Sequence, residues 1–421
     1  MIYKRVELGN NVGFTSIIDA KFKSCSLAVY FLTELNEKTE AANNLATGIL
    51  TLSNSRFKTF AALSEKLTEL YGAGLGSVSR KKGDAQILGL RASWLDSKYA
   101  IDGEDIGGEM RELVRSCLFE PNVSGGAFDR DSFALVQKDL LDRIDGELNQ
   151  KRSYAISKAS KLAFKGEPAE CTGYGSRDTA SAVTPEDAFK AYQELLRTAQ
   201  IEIYYVSPQE DDTFAEMFRE SFGNILREPK AVTVRTHSPL KSDPLIVSEE
   251  FDVNQSKMVM FFKTVSDDKY ALKMLSIILG EMPFSKLFLN VREKLSLCYY
   301  CSSSSISTKG AFMIDSGVER GNIDKAQAEI MAQLDEVKNG NISDSEIECS
   351  LMAIDNAVLQ ITDSPSGYIG WFFECFSDGK IISPEEHYDE FRSVTKERII
   401  EAANSLKLDC VYLMLNKEVQ E

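Results

Sequence analysis

Hydrophobic positions along this chain fall into short strand-like and helix-like runs that occur twice. Two early runs, SLAVYFL (26–32) and KMVMFFKTV (257–265), have the alternating or continuous apolar character of strands buried in a sheet. Each leads into a helical pattern: AANNLATGILTL (41–52) and KYALKMLSIILG (269–280). The second of these places Ala271, Leu272, Leu275, Ile278 and Leu279 on one face. The stretches 63–93 and 287–318 then read alike as helix, tight connection, strand, a turn at Lys-Gly (Lys82-Gly83, Lys309-Gly310) and a second strand. Both halves close with a helix and a strand. Thr184-Pro185-Glu186 opens one helix with a Thr cap, Pro in the first turn and an acid beside it, before IEIYYVS (201–207). Thr395-Lys396-Glu397 opens the other, before CVYLML (410–415).

The spacing between equivalent points is 227 residues at the Lys-Gly turns and 211 at the closing helices, so the first half carries 16 more residues in between. A period near 200 residues is too long for a solenoid and indicates duplication of a whole domain. Strands and helices do not alternate as in a doubly wound sheet. The expected fold class is therefore α+β: two similar domains, each a mostly antiparallel sheet with helices on one side. The segment 227–245 (REPKAVTVRTHSPLKSDPL) holds three prolines, several charges and no amphipathic period. It is expected to link a domain of residues 1–226 to one of residues 246–421.

Composition narrows the function. Forty-eight Lys and Arg against 64 Asp and Glu give a net charge of −16, which argues against a nucleic-acid partner. Ordinary surface solubility accounts for the spread acids, although a negative chamber would also attract basic peptides. No apolar run approaches a membrane span, and MIYKRVELGN lacks the apolar core of a secretory signal, so a cytoplasmic chain is expected. No phosphate-binding glycine loop is present; GAGLG (72–76) and GYGS (173–176) read as turns and helix ends. The eight cysteines are scattered, as expected of free thiols. Only Cys298 and Cys301 form a C-x-x-C pair. Because positions three apart on a strand point to opposite faces, their sulfurs are expected to diverge and to serve as core packing. There are two histidines, His237 and His387, 150 residues apart. His237 reads as a solvated linker residue and His387 as part of the polar start of a helix after Ser383-Pro384.

One stretch carries a specific likeness. Phe284-Ser285-Lys286-Leu287-Phe288, Val291-Arg292-Glu293-Lys294 and Leu297-Cys298-Tyr299 resemble the S-x-L-F…R-E-K…G-L-x-Y motif of the insulinase/pitrilysin-type metallopeptidases, where it marks the second, non-zinc domain. The LTELYGA stretch, the Thr-Pro-Glu-Asp-Ala helix and the two-fold repeat extend the likeness over nearly the whole chain. Ser296 stands where that family commonly has Gly. The resemblance implies a clamshell of similar α+β domains that encloses extended peptides, with zinc held in active members by H-x-x-E-H on a helix and a further Glu. Here the motif positions fall on Ala46, Ile49 and Leu50, and the further ligand on Asp142, Arg143 or Asp145. None of Ala46, Ile49 and Leu50 can ligate zinc or act as a base, and two distant histidines cannot restore the pair.

The expectation is thus a non-catalytic chain with no catalytic residue, metal or cofactor of its own. It resembles the bacterial paired insulinase-like proteins associated with elongation-factor-P modification. That likeness implies a heterodimer with a zinc-bearing homologous subunit and a peptide substrate, with Arg292 and Tyr299 binding the peptide. The alternative is a structural, scaffold or peptide-binding protein without any proteolytic role.

Overall fold

The computed structural model describes residues 1–417. Its residues divide into two compact units that are not contiguous in sequence. Unit 1 holds residues 1–145, 171–234 and 360–381; unit 2 holds residues 146–170, 235–359 and those from 382 onward.

In unit 1 the chain forms β1 (Ile2–Glu7), β2 (Val12–Ile18), β3 (Ser24–Glu34), β4 (Gly74–Lys82) and β5 (Ala85–Leu95). A short hairpin, β6 (Val123–Ser124) with β7 (Ala127–Phe128), and then β8 (Gln200–Ser207) follow. The main sheet runs β1-β2-β8-β3-β5-β4, and only the β2–β8 pair is parallel. Unit 2 contains β9 (Leu245–Phe251), β10 (Ser256–Lys263), β11 (Cys298–Ile306), β12 (Ala311–Val318) and β13 (Lys407–Asn416). Its order is β11-β12-β10-β13-β9, with β13–β9 as the parallel pair. Counted from the parallel pair outward, β2-β8-β3-β5-β4 and β9-β13-β10-β12-β11 are the same topology. The repeat expected from the sequence is present strand for strand, with β1 as an addition to the first copy. Even the Lys-Gly turns match: Gly83 and Gly310 take φ of 56° and 55°, the left-handed region that costs glycine least.

The mixed α+β class therefore holds, but the covering of the sheets is fuller than expected. One face of the unit 1 sheet (Leu27, Val29, Phe31, Leu88, Ile203) packs on helices Glu40–Ile49 and Pro185–Thr198. The other face presents Tyr30 and Tyr204, whose rings meet Phe373 at 5.0 and 6.2 Å. Phe373 comes from helix Pro365–Ser377, far along the chain. Unit 2 repeats the plan. Met258, Met260, Phe262 and Ile314 face helices Lys269–Ser276, Ile323–Lys338 and Lys396–Ser405. Val259, Phe261, Tyr412 and Met414 face helix Lys151–Ala163 on the opposite side. That helix turns Ala155, Ala159 and Ala163 inward, an i, i+4, i+8 stripe of small side chains that lets it lie close to the strands. Helices on one side only would have left these second faces in water.

A buried charge cluster anchors the second layer of unit 2. Glu167, just beyond helix Lys151–Ala163, lies 2.8 Å from Lys309 and 3.6 Å from Lys263. Asp409 of β13 lies 3.4 Å from Lys263 and 2.8 Å from Lys241. The side chains of Lys263 and Lys309 are only 2% and 3% exposed. Ser238 donates to Glu167 (2.7 Å), Lys309 to Thr236 (2.7 Å) and Lys263 to the Pro239 carbonyl (3.2 Å). Backbone bonds from Thr236 to Thr308 and from Ser238 to Lys309 extend the same attachment. His237, expected as a solvated linker residue, is exposed as expected, but its ring lies beside the Gly310 turn and 3.3 Å from Asp267. The reason is local: the flanking Thr236 and Ser238 are tied to the β11–β12 turn.

Removing one partner of a buried ion pair strands the other charge, at a cost of about 3–5 kcal/mol. Glu167→Ala should therefore destabilise unit 2 by roughly that amount in urea unfolding, whereas Lys165→Ala, at an exposed position, should change stability by no more than about 0.5 kcal/mol.

Candidate functional site

Helix Glu40–Ile49, with Leu50 at its end, carries the positions where the sequence resemblance places a zinc motif. Ala46, Ile49 and the helix-ending Leu50 are each 0% exposed and sit inside the unit 1 core. They offer no nitrogen, oxygen or sulfur donor, so zinc does not fit this position. Its polar side chains are already committed elsewhere. Asn43 donates to Gln86 (3.0 Å), Gln86 donates to the carbonyls of Glu40 and Gly173 (2.9 and 2.8 Å), and the Glu40 carboxylate accepts from the Gly173 amide (2.5 Å). This buried network was not singled out from the sequence. Its one signal there is a Gln inside an otherwise apolar strand, ILGL preceded by Gln86.

The further-ligand region fares no better. Asp142 pairs with Lys138, Asp145 with Arg177, and the Arg143 guanidinium lies 4.3 Å over the Tyr174 ring. Among the described residues, no group of three or more His, Cys, Asp or Glu is arranged to hold a metal ion. His387, expected at a solvated helix start, does follow a Ser383–Glu386 capping box, but its ring packs against Tyr270 and Phe391 at 5.3 and 4.9 Å.

The Arg292/Tyr299 stretch lies in unit 2. Residues Leu287–Lys294 form a widened, π-type helical turn held by buried Leu287 and Val291. Lys286 anchors its start through Glu346 at 2.9 Å. Arg292, near the end, is half-exposed, with its guanidinium 4.6 Å from the Phe288 ring and 3.5 Å from Glu293. The chain then turns through Ser296 at φ 50°. The left-handed turn that glycine commonly supplies is thus kept with a serine in place, at a cost of about 1–2 kcal/mol in local backbone energy.

Strand β11 begins next, at the sheet edge, and its first residues are irregular. Cys298 pairs with Val318 but Tyr300 pairs with Gly317, so Tyr299 is an extra residue, a β-bulge. Tyr300 faces helix Lys151–Ala163. Its ring sits 4.5 Å from the Arg152 guanidinium, which also clamps Asp315 at 2.6 and 3.0 Å. Gly317 opposite is required by this packing, because a Cβ there would come within 2.5 Å of the Tyr300 ring. Tyr299 is pushed outward and is 67% exposed. No hydrogen bond joins Arg292 to Tyr299 among the described residues. The Arg292 charge does reach the Cys298 thiol, which precedes Tyr299 in the strand.

The bulge also overturns the expectation for the cysteine pair. With one extra residue between them, Cys298 and Cys301 lie opposite Val318 and Ser316, two residues apart on β12, and both enter the same core. The period-2 rule fails here because it assumes an unbroken ladder.

The positions where the resemblance places a zinc motif are thus filled by buried apolar side chains. Comparison with known proteins agrees. Residues 182–352 match the family described as "Peptidase M16 inactive domain". The probable inactive metalloprotease YmfF of Bacillus subtilis is 28% identical over 402 residues, 94% of each chain. A conserved protein of Enterococcus faecalis V583, known from a crystal structure, superposes over the whole of both chains with a TM-score of 0.92 at 24% identity. An M16 inactive-domain protein of Pseudomonas fluorescens does so with a TM-score of 0.80 at 15% identity. The chain is similar to inactive-type members of the insulinase/pitrilysin metallopeptidases.

Two outcomes follow. Ser296→Gly should raise stability by up to about 1 kcal/mol and Ser296→Val lower it by about 1–2 kcal/mol, measured by urea unfolding. Writing the missing motif back as Ala46→His, Ile49→Glu and Leu50→His should yield a destabilised protein, with no zinc retained after gel filtration. Burying the Ile49→Glu carboxylate alone should cost about 3 kcal/mol or more.

Proposed function

We propose that this chain is a non-catalytic subunit that completes the peptide-binding chamber of a zinc-bearing homologous partner. The observation that carries this reading is the display of Tyr299. A large aromatic ring is held in solvent by a bulge, in the strand that follows the helical turn carrying Arg292, while its neighbour Tyr300 is engaged with Arg152. The bulge that packs Tyr300 on Arg152 turns this ring outward, where a partner can reach it. The chemistry suits a peptide backbone: Arg292 offers a multi-donor charged fork to a carbonyl oxygen, and Tyr299 a phenolic O–H. The inactive-metalloprotease name of the Bacillus relative and the apolar plug at Ala46, Ile49 and Leu50 support placing the bond-cleaving chemistry in another chain.

The test is reconstitution with an H-x-x-E-H-bearing homologue from the same cell. A stable complex is expected, with peptidase activity that neither chain has alone. Arg292→Ala should leave the complex intact on gel filtration but lower kcat/KM about 10–100-fold, the worth of one or two charge-assisted hydrogen bonds. Tyr299→Phe should cost about 10-fold or less. If the two chains do not associate, or if both variants leave the rate unchanged, the reading fails. A stable complex without turnover would transfer the assignment to a scaffold.

A further inference from the structure

The bulge that displays Tyr299 also creates a dithiol. Cys298 and Cys301 flank Tyr299-Tyr300, are 8% and 5% exposed, and point into one core. Both are free thiols. Their register partners Val318 and Ser316 are two residues apart on β12. Two residues of strand span roughly 6.6 Å, near the upper end of the Cα separation that disulfides bridge, about 6.8 Å. The remaining adjustment falls on a compliant part of the fold. Strand β11 is an edge strand, tied on one side only, and its ladder is already broken between Cys298 and Tyr300.

The two thiols differ in character. Cys301 donates a hydrogen bond to Cys298, which pulls the Cys298 thiol down to about 7 against the opposing effect of burial; Ser316 and the Arg292 charge add to the same direction. The Cys301 thiol is pushed well up by that same bond and by its burial, with the Asp315 charge in the same direction. One sulfur is thus suited to attack and the other to resolve.

We infer that Cys298 and Cys301 form a redox-active dithiol that a peroxide converts into a disulfide within β11. The Cys298 thiolate attacks one peroxide oxygen, the O–O bond breaks, and the departing hydroxide leaves as water with the Cys298 proton. Cys298 is then a sulfenic acid. The Cys301 sulfur attacks the Cys298 sulfur, the S–S bond forms, the S–O bond breaks, and the Cys301 proton leaves with the hydroxide as a second water. One peroxide is reduced to two waters and two thiols are oxidised to one disulfide. The ring that closes contains Tyr299, so oxidation changes how that side chain is displayed. The chemistry does not depend on the peptide-binding reading and is scored without any peptidase.

The experiment treats the reduced full-length protein with limiting hydrogen peroxide, alkylates the remaining thiols and maps them by mass spectrometry. A Cys298–Cys301 disulfide is expected, with loss of two hydrogens from the intact mass. Cys298 should react about tenfold or more faster than the half-buried Cys171 and Cys349. In Cys301→Ser the reaction should stop at a sulfenic acid on Cys298 that dimedone traps. Oxidation of Cys298 no faster than that of Cys171 or Cys349, or no 298–301 link in the unaltered protein, overturns the inference. The map of the unaltered protein decides the matter even if the variant does not fold.

Discussion

Both sheets are apolar on both faces, and the rest of the architecture answers to that constraint. Burying one large side chain contributes about 1.5–3 kcal/mol, and each second face presents several: Tyr30 and Tyr204 in unit 1, and Val259, Phe261, Tyr412 and Met414 in unit 2. Leaving such a face wet would forfeit about 3–6 kcal/mol in unit 1 and about 6–12 kcal/mol in unit 2, a large share of the roughly 5–15 kcal/mol by which domains are stable. The chain solves this twice with a helix drawn from outside the neighbouring sequence. Residues 146–170 join unit 2 although unit 1 sequence flanks them, and residues 360–381 join unit 1 although unit 2 sequence flanks them. The helices differ in kind. Helix Pro365–Ser377 covers its sheet with Phe372, Phe373 and Phe376, and Arg80 and Arg5 stack on these rings. Helix Lys151–Ala163 buries chiefly alanines, with Tyr154, Ile156 and Leu162 partly buried beside them, and is tied down by Arg152 at its start and Glu167 beyond its end.

Much of the fold was legible because it follows from short-range pattern. The strands around 26–32 and 257–265, the capped helices after Thr184 and Thr395, and the Lys-Gly turns all rest on local periodicity and turn chemistry. Their recurrence revealed the duplication. The covering of the second faces was not legible in the same way, although its trace was present. SLAVYFL and KMVMFF are continuous apolar runs, and a strand with one wet face would alternate. What no local pattern carries is which distant helix supplies the cover. Ala155, Ala159 and Ala163 look unremarkable in sequence, because alanines at that spacing suit any exposed helix as well.

The candidate site shows the same division more sharply. The lack of an H-x-x-E-H motif could be read from composition alone, since the two histidines lie 150 residues apart. The positions of Arg292 and Tyr299 came from a motif, but their presentation depends on one unpaired residue in β11. A ladder without the bulge would turn Cys298 and Cys301 to opposite faces. With it, Tyr300 meets Arg152, both cysteines enter the core and Tyr299 is expelled. A one-residue irregularity leaves no sure mark in a run such as CYYCSSSSI, where every residue is compatible with a strand. The nearest signal is Gly317 across the ladder, needed for the Tyr300 ring.

The two halves have therefore diverged in opposite ways from one plan. In unit 1 the helix that would hold zinc has become core: Ala46, Ile49 and Leu50 contribute burial and leave no polar group to satisfy. That exchange is hard to reverse, since polar ligands returned there would have to be desolvated in a packed interior. In unit 2 the stretch from Leu287 to Tyr300 has features that stability alone would remove. Ser296 holds a backbone conformation that glycine would hold at less cost, and Tyr299 exposes a ring that could be buried or replaced. Backbone strain and exposed aromatic surface, placed together at a sheet edge, are retained only where the surrounding fold over-determines them, and such places cluster at ligand contacts. The physical asymmetry between a plugged helix and a strained, displayed turn is the strongest reason to seek this protein's role at Arg292 and Tyr299.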